Sequence, residues 1–294
     1  MVRWGRARDR QRVDWERGRR ALAAEVARVV GLLRTSAVPS APALGGWTVA
    51  EVAVHLSQAW LAVPGLARRD LSEVHQVVPA RPGAGPSLID DMWDLGGLTR
   101  EGVDAEPERD LAVLAGRIER RAGEFLAGID PAAAGDRRAW LVAGAEVSLP
   151  TLTFHLLNET VVHGWDMARA SGVAWRVDQA AAAMILDGFL FPVLAALPPR
   201  AMVDQEVAAG LRATFELDIK GGGRHLLAFD DGALSVQSPP TGPADCRIAA
   251  DPVALLLVVW GRMDQAPAIV DRRLVVSGPK AFLGPRLRSL MRNP

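Results

Sequence analysis

The sequence predicts two domains, an α-helical bundle followed by a small α+β domain. Its 294 residues are too many for one typical core and suit two. Up to Pro199 the apolar residues recur with the helical period, whereas beyond it they alternate with the period of a strand. We therefore expect a bundle over residues 13–200 and an α+β domain over 205–294, with the boundary near 198–208.

The first domain contains four long helical segments and a connecting fifth, a pattern typical of an antiparallel bundle. They cover residues 13–34, 48–63, 110–129, 150–170 and 178–198. Thr48 and Glu51 form a capping box at the start of the second helix, and Pro64-Gly65 is expected to end it. Asp178 is the N-cap of the fifth segment.

Two connections in the first domain are irregular. The stretch 78–108 is rich in Pro, Gly and Asp, and we expect a surface insertion with a short helix near 88–95. A lid over a binding site is the alternative, because loops of this length are often functional. The connector 131–149 is expected to hold one short strand near 140–142.

The second domain shows strand-like alternation with a hairpin turn at Asp230-Asp231-Gly232. The expected strands are 211–219, 226–229, 234–236, 246–249 and 273–276, and the expected helices are 252–260 and 279–291. Gly221-Gly222-Gly223 leads into a strand rather than a helix, which indicates a hairpin turn and not a dinucleotide-binding loop. His75 and His225 have no partner nearby in sequence and are expected at the surface.

Composition narrows the function classes. Acidic and basic residues are balanced at 34 each, so no global field draws the chain to nucleic acid or to membranes. Cys246 is alone, which excludes an internal disulfide and a cysteine-based metal site. The charged N-terminus lacks an apolar signal core, and apolar stretches such as 254–260 are far shorter than a membrane span. We expect a soluble, cytoplasmic protein, from a high-GC bacterial genome because almost every basic residue is Arg.

Three side chains form the candidate site. Glu159 and His163 are four residues apart and therefore emerge from one face of a helix. His55 lies on the second helix, seven residues beyond its cap, and facing helices of a bundle commonly supply ligands to one internal metal. Two histidines and one carboxylate suit Zn²⁺, Fe²⁺ or similar ions, and three protein ligands leave a position open for catalysis.

The spacing of these residues is also compatible with ordinary structural roles. Glu159 and His163 could form a surface pair, and His55 could be a core histidine with a satisfied hydrogen bond. The apolar neighbourhoods of both segments favour the metal site, because an unpaired buried Glu is costly. His155 could border the site or be a polar residue of the first helical turn. Asp166 could orient His163 as a hydrogen-bond partner or anchor the helix end.

These same two segments resemble a known family. They are the Trp-Thr…His-Leu segment that ends at Leu56 and the Glu-x-x-x-His-Gly-Trp-Asp segment that ends at Asp166. Their order and separation are similar to those of the mycothiol-dependent maleylpyruvate isomerases, a branch of the DinB-like metal-binding bundles common in actinobacteria. The C-terminal part resembles the small α+β domain, similar to sterol-carrier folds, that follows the bundle in this family. The likeness extends from about residue 13 onward.

The resemblance implies a divalent metal, usually zinc, held by His55, Glu159 and His163, with mycothiol as cosubstrate and a small electrophile as substrate. A metal beside a thiol favours the nucleophilic thiolate, which can add to an activated double bond or displace a leaving group. Isomerase and transferase therefore both stay open, because the substrate-binding residues of the family have no matched positions here. The stretch 78–108 and the charged N-terminal extension also lack counterparts.

The same residues are compatible with two functions other than catalysis. The chain could be a non-catalytic protein that binds metal or a small molecule, with an apolar ligand in its C-terminal domain. It could instead be a metal sensor, although no basic recognition helix is visible in the sequence.

Overall fold

A computed structural model describes residues 5–77, 92–140 and 144–292. The chain divides into two compact units, Met1–Val177 and Asp178–Pro294. Helices dominate the first unit and a mixed sheet dominates the second, so the predicted fold class is confirmed.

The first unit is a four-helix bundle in which α1 and α2 each pack against both α5 and α6. Its elements in chain order are α1 (Gly5–Thr35), β1 (Pro42–Leu44), β2 (Trp47–Thr48), α2 (Val49–Arg68), α3 (Leu71–Val74), α4 (Met92–Ala105), α5 (Leu111–Gly128), a 3₁₀ turn (Pro131–Gly135), β3 (Arg137–Ala139), β4 (Glu146–Ser148) and α6 (Leu149–Ala170). Strands β1 and β2 pair with each other, as do β3 and β4.

Helix α2 begins where the sequence predicts but extends further. The Thr48 hydroxyl accepts a hydrogen bond from the Glu51 N–H, and the Glu51 carboxylate accepts one from the Thr48 N–H, which completes the capping box. The predicted break at Pro64 is wrong, because α2 runs through it to Arg68. One proline removes one N–H donor, and its buried side chain keeps packing in the bundle.

The described parts of the two irregular connections contain more regular secondary structure than predicted. A short helix was expected near 88–95, but helix α4 covers Met92–Ala105 and continues ten residues beyond the expected end. Residues 78–91 lie outside the described ranges. A hairpin of β3 and β4 lies in the connector 131–149, and residues 141 and 142 of the strand expected at 140–142 lie outside the described residues.

The second unit consists of a five-stranded sheet with helices. Its elements are α7 (Gln179–Ile185), a π-helical turn (Leu186–Leu190), α8 (Phe191–Ala196), β5 (Arg212–Ile219), β6 (Arg224–Asp230), β7 (Ala233–Gln237), β8 (Cys246–Ala250), α9 (Pro252–Val259), α10 (Gln265–Val270), β9 (Leu274–Ser277), a 3₁₀ turn (Ala281–Arg286) and α11 (Leu287–Leu290). The strand order is β7-β6-β5-β8-β9, and only the β5–β8 pair is parallel.

Four features of this unit differ from the sequence prediction. The fifth helical segment belongs with the second unit, because α7 packs on α9 and α8 packs on β7. The predicted helix over 279–291 is instead a 3₁₀ turn that contains Pro285 and a single turn of α11. Helix α10 was not predicted, since Pro267 obscures its period. His225 is buried, with 5% of its surface exposed, and its predicted surface position is wrong.

The segment Gln179–Ala196 has a mean hydropathy of 1.6 over 18 residues, and half of it is buried within the structure. By length and composition it could cross a membrane, so the expectation that every apolar stretch is far too short does not hold here. Core helices pass the same test, which makes this weak evidence for a span.

Gly164 allows α6 to approach α1 beside the candidate site. A Cβ atom there would lie 2.8 Å from Cγ2 of Val29, whereas a Cβ at Gly116 on α5 would meet nothing within 4 Å. We expect Gly164→Ala to lower the free energy of unfolding by about 1–3 kcal/mol through overpacking. Gly116→Ala should raise it by up to about 1 kcal/mol through helix propensity. Urea unfolding followed by the helical circular dichroism signal measures both, and equal shifts would refute the close packing.

Candidate metal centre

The bundle brings His55, Glu159 and His163 together. His55 lies on α2 about two turns after the capping box, and the other two lie one turn apart on α6. Because α2 and α6 pack against each other, one nitrogen or oxygen atom from each of the three side chains lies within 4.8 Å of the others. The convergence that the sequence predicts is therefore observed, while the role of these residues as metal ligands stays a prediction.

One carboxylate oxygen is at the centre of the cluster. Nε2 of His55 and Nε2 of His163 each lie 3.3 Å from Oε2 of Glu159. The two imidazole rings are nearly perpendicular, with centroids 4.8 Å apart. All three side chains are largely buried, with exposed fractions of 20% for His55, 13% for Glu159 and 10% for His163.

The other carboxylate oxygen, Oε1, has different partners. Nε2 of His155 lies 3.3 Å from Oε1, and the Asn158 side-chain amide donates to it at 3.4 Å. His155 therefore borders the cluster, one of the two positions that the sequence allows, and the Trp140 ring packs edge-on against it. Asn158 was missed by sequence reasoning, since an amide next to Glu159 carries no metal-ligand signal.

Asp166 lies behind His163. Its Oδ2 is 3.1 Å from Nδ1 of His163, and its side chain is buried. The sequence left open whether Asp166 contacts His163 or anchors the helix end, and the structure shows the contact with His163. A carboxylate that accepts a hydrogen bond from Nδ1–H leaves Nε2 as the free nitrogen, which is the atom that faces Glu159.

The cluster shifts the acidity of its members in opposite directions. Burial alone would raise the pKa of Glu159, but hydrogen bonds from three histidines hold that pKa well below its usual range. Burial also acts to lower the pKa of His163, yet hydrogen bonds to Asp166 and Glu159 raise it to about 9. The pKa of His55 is lowered, because burial outweighs its bond to Glu159. At neutral pH the cluster thus combines a carboxylate with one charged and one neutral imidazole.

The donor set fits a divalent cation. A tetrahedral ion with ligands at about 2.0–2.1 Å keeps its donor atoms roughly 3.3 Å apart. Both imidazole nitrogens lie 3.3 Å from the same Glu159 oxygen, which matches this spacing, and all three donor atoms lie within 4.8 Å of one another. Two imidazoles and a carboxylate suit zinc and ions of similar softness, and binding such an ion requires His163 to release its proton.

Fold and cluster together define a class: a four-helix bundle with a buried His-Glu-His cluster, followed by an α+β domain. The family model of the mycothiol maleylpyruvate isomerase N-terminal domain matches residues 6–168, which is more than half of the chain. The chain therefore belongs to this family. The model of the SCP-2 sterol transfer family matches residues 194–292, in agreement with the predicted sterol-carrier-like domain.

Solved structures with some likeness span both parts of the chain. A mycothiol-dependent maleylpyruvate isomerase is 10% identical with a TM-score of 0.47, over 85% of this chain and 90% of that one. A ubiquinone synthesis protein with an SCP2 domain is 21% identical with a TM-score of 0.24, over 38% and 86%. A sec-alkylsulfatase from Pseudomonas sp. is 18% identical with a TM-score of 0.31, over 66% and 32%. No curated protein matches the sequence.

Asp166→Asn tests the acidity of the cluster. Removing the carboxylate takes away the strongest partner that raises the pKa of His163, so the pKa should fall from about 9 towards the ordinary value. NMR titration of the imidazole C–H signals in chelator-treated protein measures this shift. Asp104→Asn, which changes an exposed carboxylate on α4, is the control and should leave the titration unchanged. An unchanged His163 midpoint in Asp166→Asn would show that Asp166 does not set it.

Proposed function

We propose that His55, Glu159 and His163 bind a divalent metal of the zinc class. We further propose that the protein uses a low-molecular-weight thiol, mycothiol in its family, to isomerise or thiolate a small electrophile. The single observation that supports this proposal is the convergence of two imidazole nitrogens on one carboxylate oxygen, each at 3.3 Å, with all three donor atoms within 4.8 Å of one another. We assign the protein to the cytosol of an actinobacterium, where such a thiol is available.

A bound divalent metal would favour the thiolate form of a neighbouring thiol and polarise an electrophilic carbonyl. The chain's own residues prepare that position. Asp166 fixes the ring of His163 so that Nε2 points at the cluster. His155 and Asn158 hold Oε1 of Glu159, which leaves Oε2 for the ligand position between the two histidines. Such partners fix the orientation of ligands before the ion arrives.

The thiol in this proposal comes from outside the protein. Cys246, the one cysteine of the sequence, is fully buried on β8. Burial raises the pKa of its thiol, and the nearby Asp245 carboxylate raises it further. A buried thiol with a raised pKa is a poor nucleophile, so a reaction that needs a thiolate requires a free thiol as cosubstrate.

A second candidate function is a carrier without turnover. The second unit contains an apolar cavity lined by residues of α8, the sheet and α9, among them Phe191, Leu217, Leu227 and Leu255. Concave apolar sites of this kind suit small hydrophobic ligands. In this alternative the bundle binds metal for stability and the second unit holds the ligand.

The ligand assignment is tested by metal analysis. His55→Ala and His163→Ala should each lower the metal content from about one ion per chain to nearly none, because two remaining ligands bind a borderline ion weakly. Helical circular dichroism should stay close to that of the unchanged protein. His75→Ala, which alters an exposed histidine of the same unit, is the matched control and should keep full metal. Full metal in either cluster variant would remove that residue from the ligand set.

Enzyme and carrier are separated by thiol consumption. We expect metal-loaded protein with mycothiol and an activated cis-alkene to isomerise the alkene or to consume the thiol, and His55→Ala to do neither. Chromatography of the alkene isomers and a colorimetric thiol assay measure the two outcomes. Tight retention of an apolar ligand, with no turnover across a broad panel of electrophiles, would favour the carrier.

A further inference from the structure

His225, in the second unit, is held between an acid and a hydroxyl. Its Nε2 lies 2.8 Å from Oδ1 of Asp187, and its Nδ1 lies 2.5 Å from Oγ of Ser238. The histidine side chain is 6% exposed, whereas Ser238 is exposed to solvent. Acid, imidazole and hydroxyl thus form a continuous chain of hydrogen bonds that ends at an exposed serine.

Asp187 determines the tautomer of His225. A carboxylate only accepts hydrogen bonds, so Nε2 must carry the proton that it shares with Asp187. Nδ1 is then the basic nitrogen, and Ser238 donates its hydroxyl proton to it. The second oxygen of Asp187 accepts the Gly223 N–H at 2.8 Å, so both carboxylate oxygens are fixed. These groups can serve as a nucleophile, a base and an orienting acid, with the two ring nitrogens exchanged relative to the serine-protease triad, in which the acid contacts Nδ1 and the serine contacts Nε2.

The surrounding chain is shaped to hold these groups. Asp187 lies in the π-helical turn Leu186–Leu190, and such turns are frequent at functional sites. A Cβ at Gly222 would lie 2.9 Å from an Asp187 oxygen, and one at Gly223 would lie 3.2 Å from Nε2 of His225. The glycine run is therefore more than a hairpin turn, because it admits the carboxylate. Phe191 stacks on the His225 ring at 3.8 Å and fixes its plane.

We propose that Ser238 is an activated nucleophile and that the second unit carries an acyl-transfer site for carboxylic esters. The Ser238 oxygen forms a bond to the acyl carbon while its proton moves to Nδ1 of His225. The bond from the acyl carbon to the leaving alcohol breaks, and the alcohol departs with that proton. Water then hydrolyses the acyl-serine by the reverse proton path, which releases the acid and regenerates the hydroxyl.

A purely structural role has a different consequence. Hydrogen bonds that only fasten the π-helical turn to the sheet would leave Ser238 as unreactive as any surface serine. General-base assistance typically accelerates such a step by about 10²–10⁴-fold. The reactivity of one serine therefore separates the two roles.

The test uses a fluorophosphonate probe on the full-length protein, with p-nitrophenyl acetate as a substrate. We expect the probe to modify Ser238, with the P–F bond broken and fluoride released, and mass spectrometry of peptides locates the adduct. Ser238→Ala should abolish labelling and ester hydrolysis. His225→Gln and Asp187→Asn should each slow labelling by at least about 100-fold.

Ser235→Ala is the matched control, because Ser235 is an exposed serine on the adjoining strand β7. It should leave labelling unchanged. Absence of an adduct on Ser238 in the unchanged protein, or equal labelling of Ser238→Ala, would overturn the proposal. Ser238 is exposed and its substitution removes one hydroxyl, so this comparison holds even if the His225 variant unfolds. Thermal unfolding curves of each variant verify the fold.

Discussion

The first unit depends on how the bundle accommodates one buried carboxylate. Glu159 lies in the interior, where an unpaired charge costs several kcal/mol. The chain meets this cost with histidines on both sides of the carboxylate, at 3.3 Å from its two oxygens. Since His55 comes from α2 and Glu159 from α6, the pairing requires these helices to stay in register. The ion pairs of the cluster and the packing of α2 on α6 therefore depend on each other.

The N-terminal caps of α2 and α6 help to fix this register. The Thr48–Glu51 capping box fixes the first turn of α2, and Ser148 accepts the Thr151 N–H at the first turn of α6. A fixed start determines the direction of every later side chain on a helix. His55 is thus aimed by a cap seven residues away, and Gly164 lets α6 approach Val29 on α1. The caps fix where α2 and α6 begin, and the packing of these helices on each other brings the three side chains together.

These local signals explain what the sequence could predict. The bundle helices and most strands follow from periodicity and caps, which act within one or two turns. The convergence of His55, Glu159 and His163 was predicted from their spacing together with their apolar neighbourhoods and the family resemblance. The continuation of α2 through Pro64 and the pairing of α7 with the second unit depend on tertiary contacts instead. Tertiary packing outweighs local propensity in such cases. Asn158 could be placed only once α6 was oriented.

His225 shows the same limit in the sheet, since its partners are distant in sequence. The β6–β7 pair puts Leu226 opposite Gln237, and one further step in that register puts His225 opposite Ser238. The turn at Asp230-Asp231-Gly232 was predicted, so counting outward from it could have found this pair. Asp187 offered no such route, because its contact depends on how the π-helical turn packs on the sheet. Each unit buries a histidine, His163 or His225, and gives each of its ring nitrogens a defined partner. Because such partners fix the tautomer and the ring orientation, the same hydrogen bonds that make burial possible also direct one nitrogen at a neighbouring group.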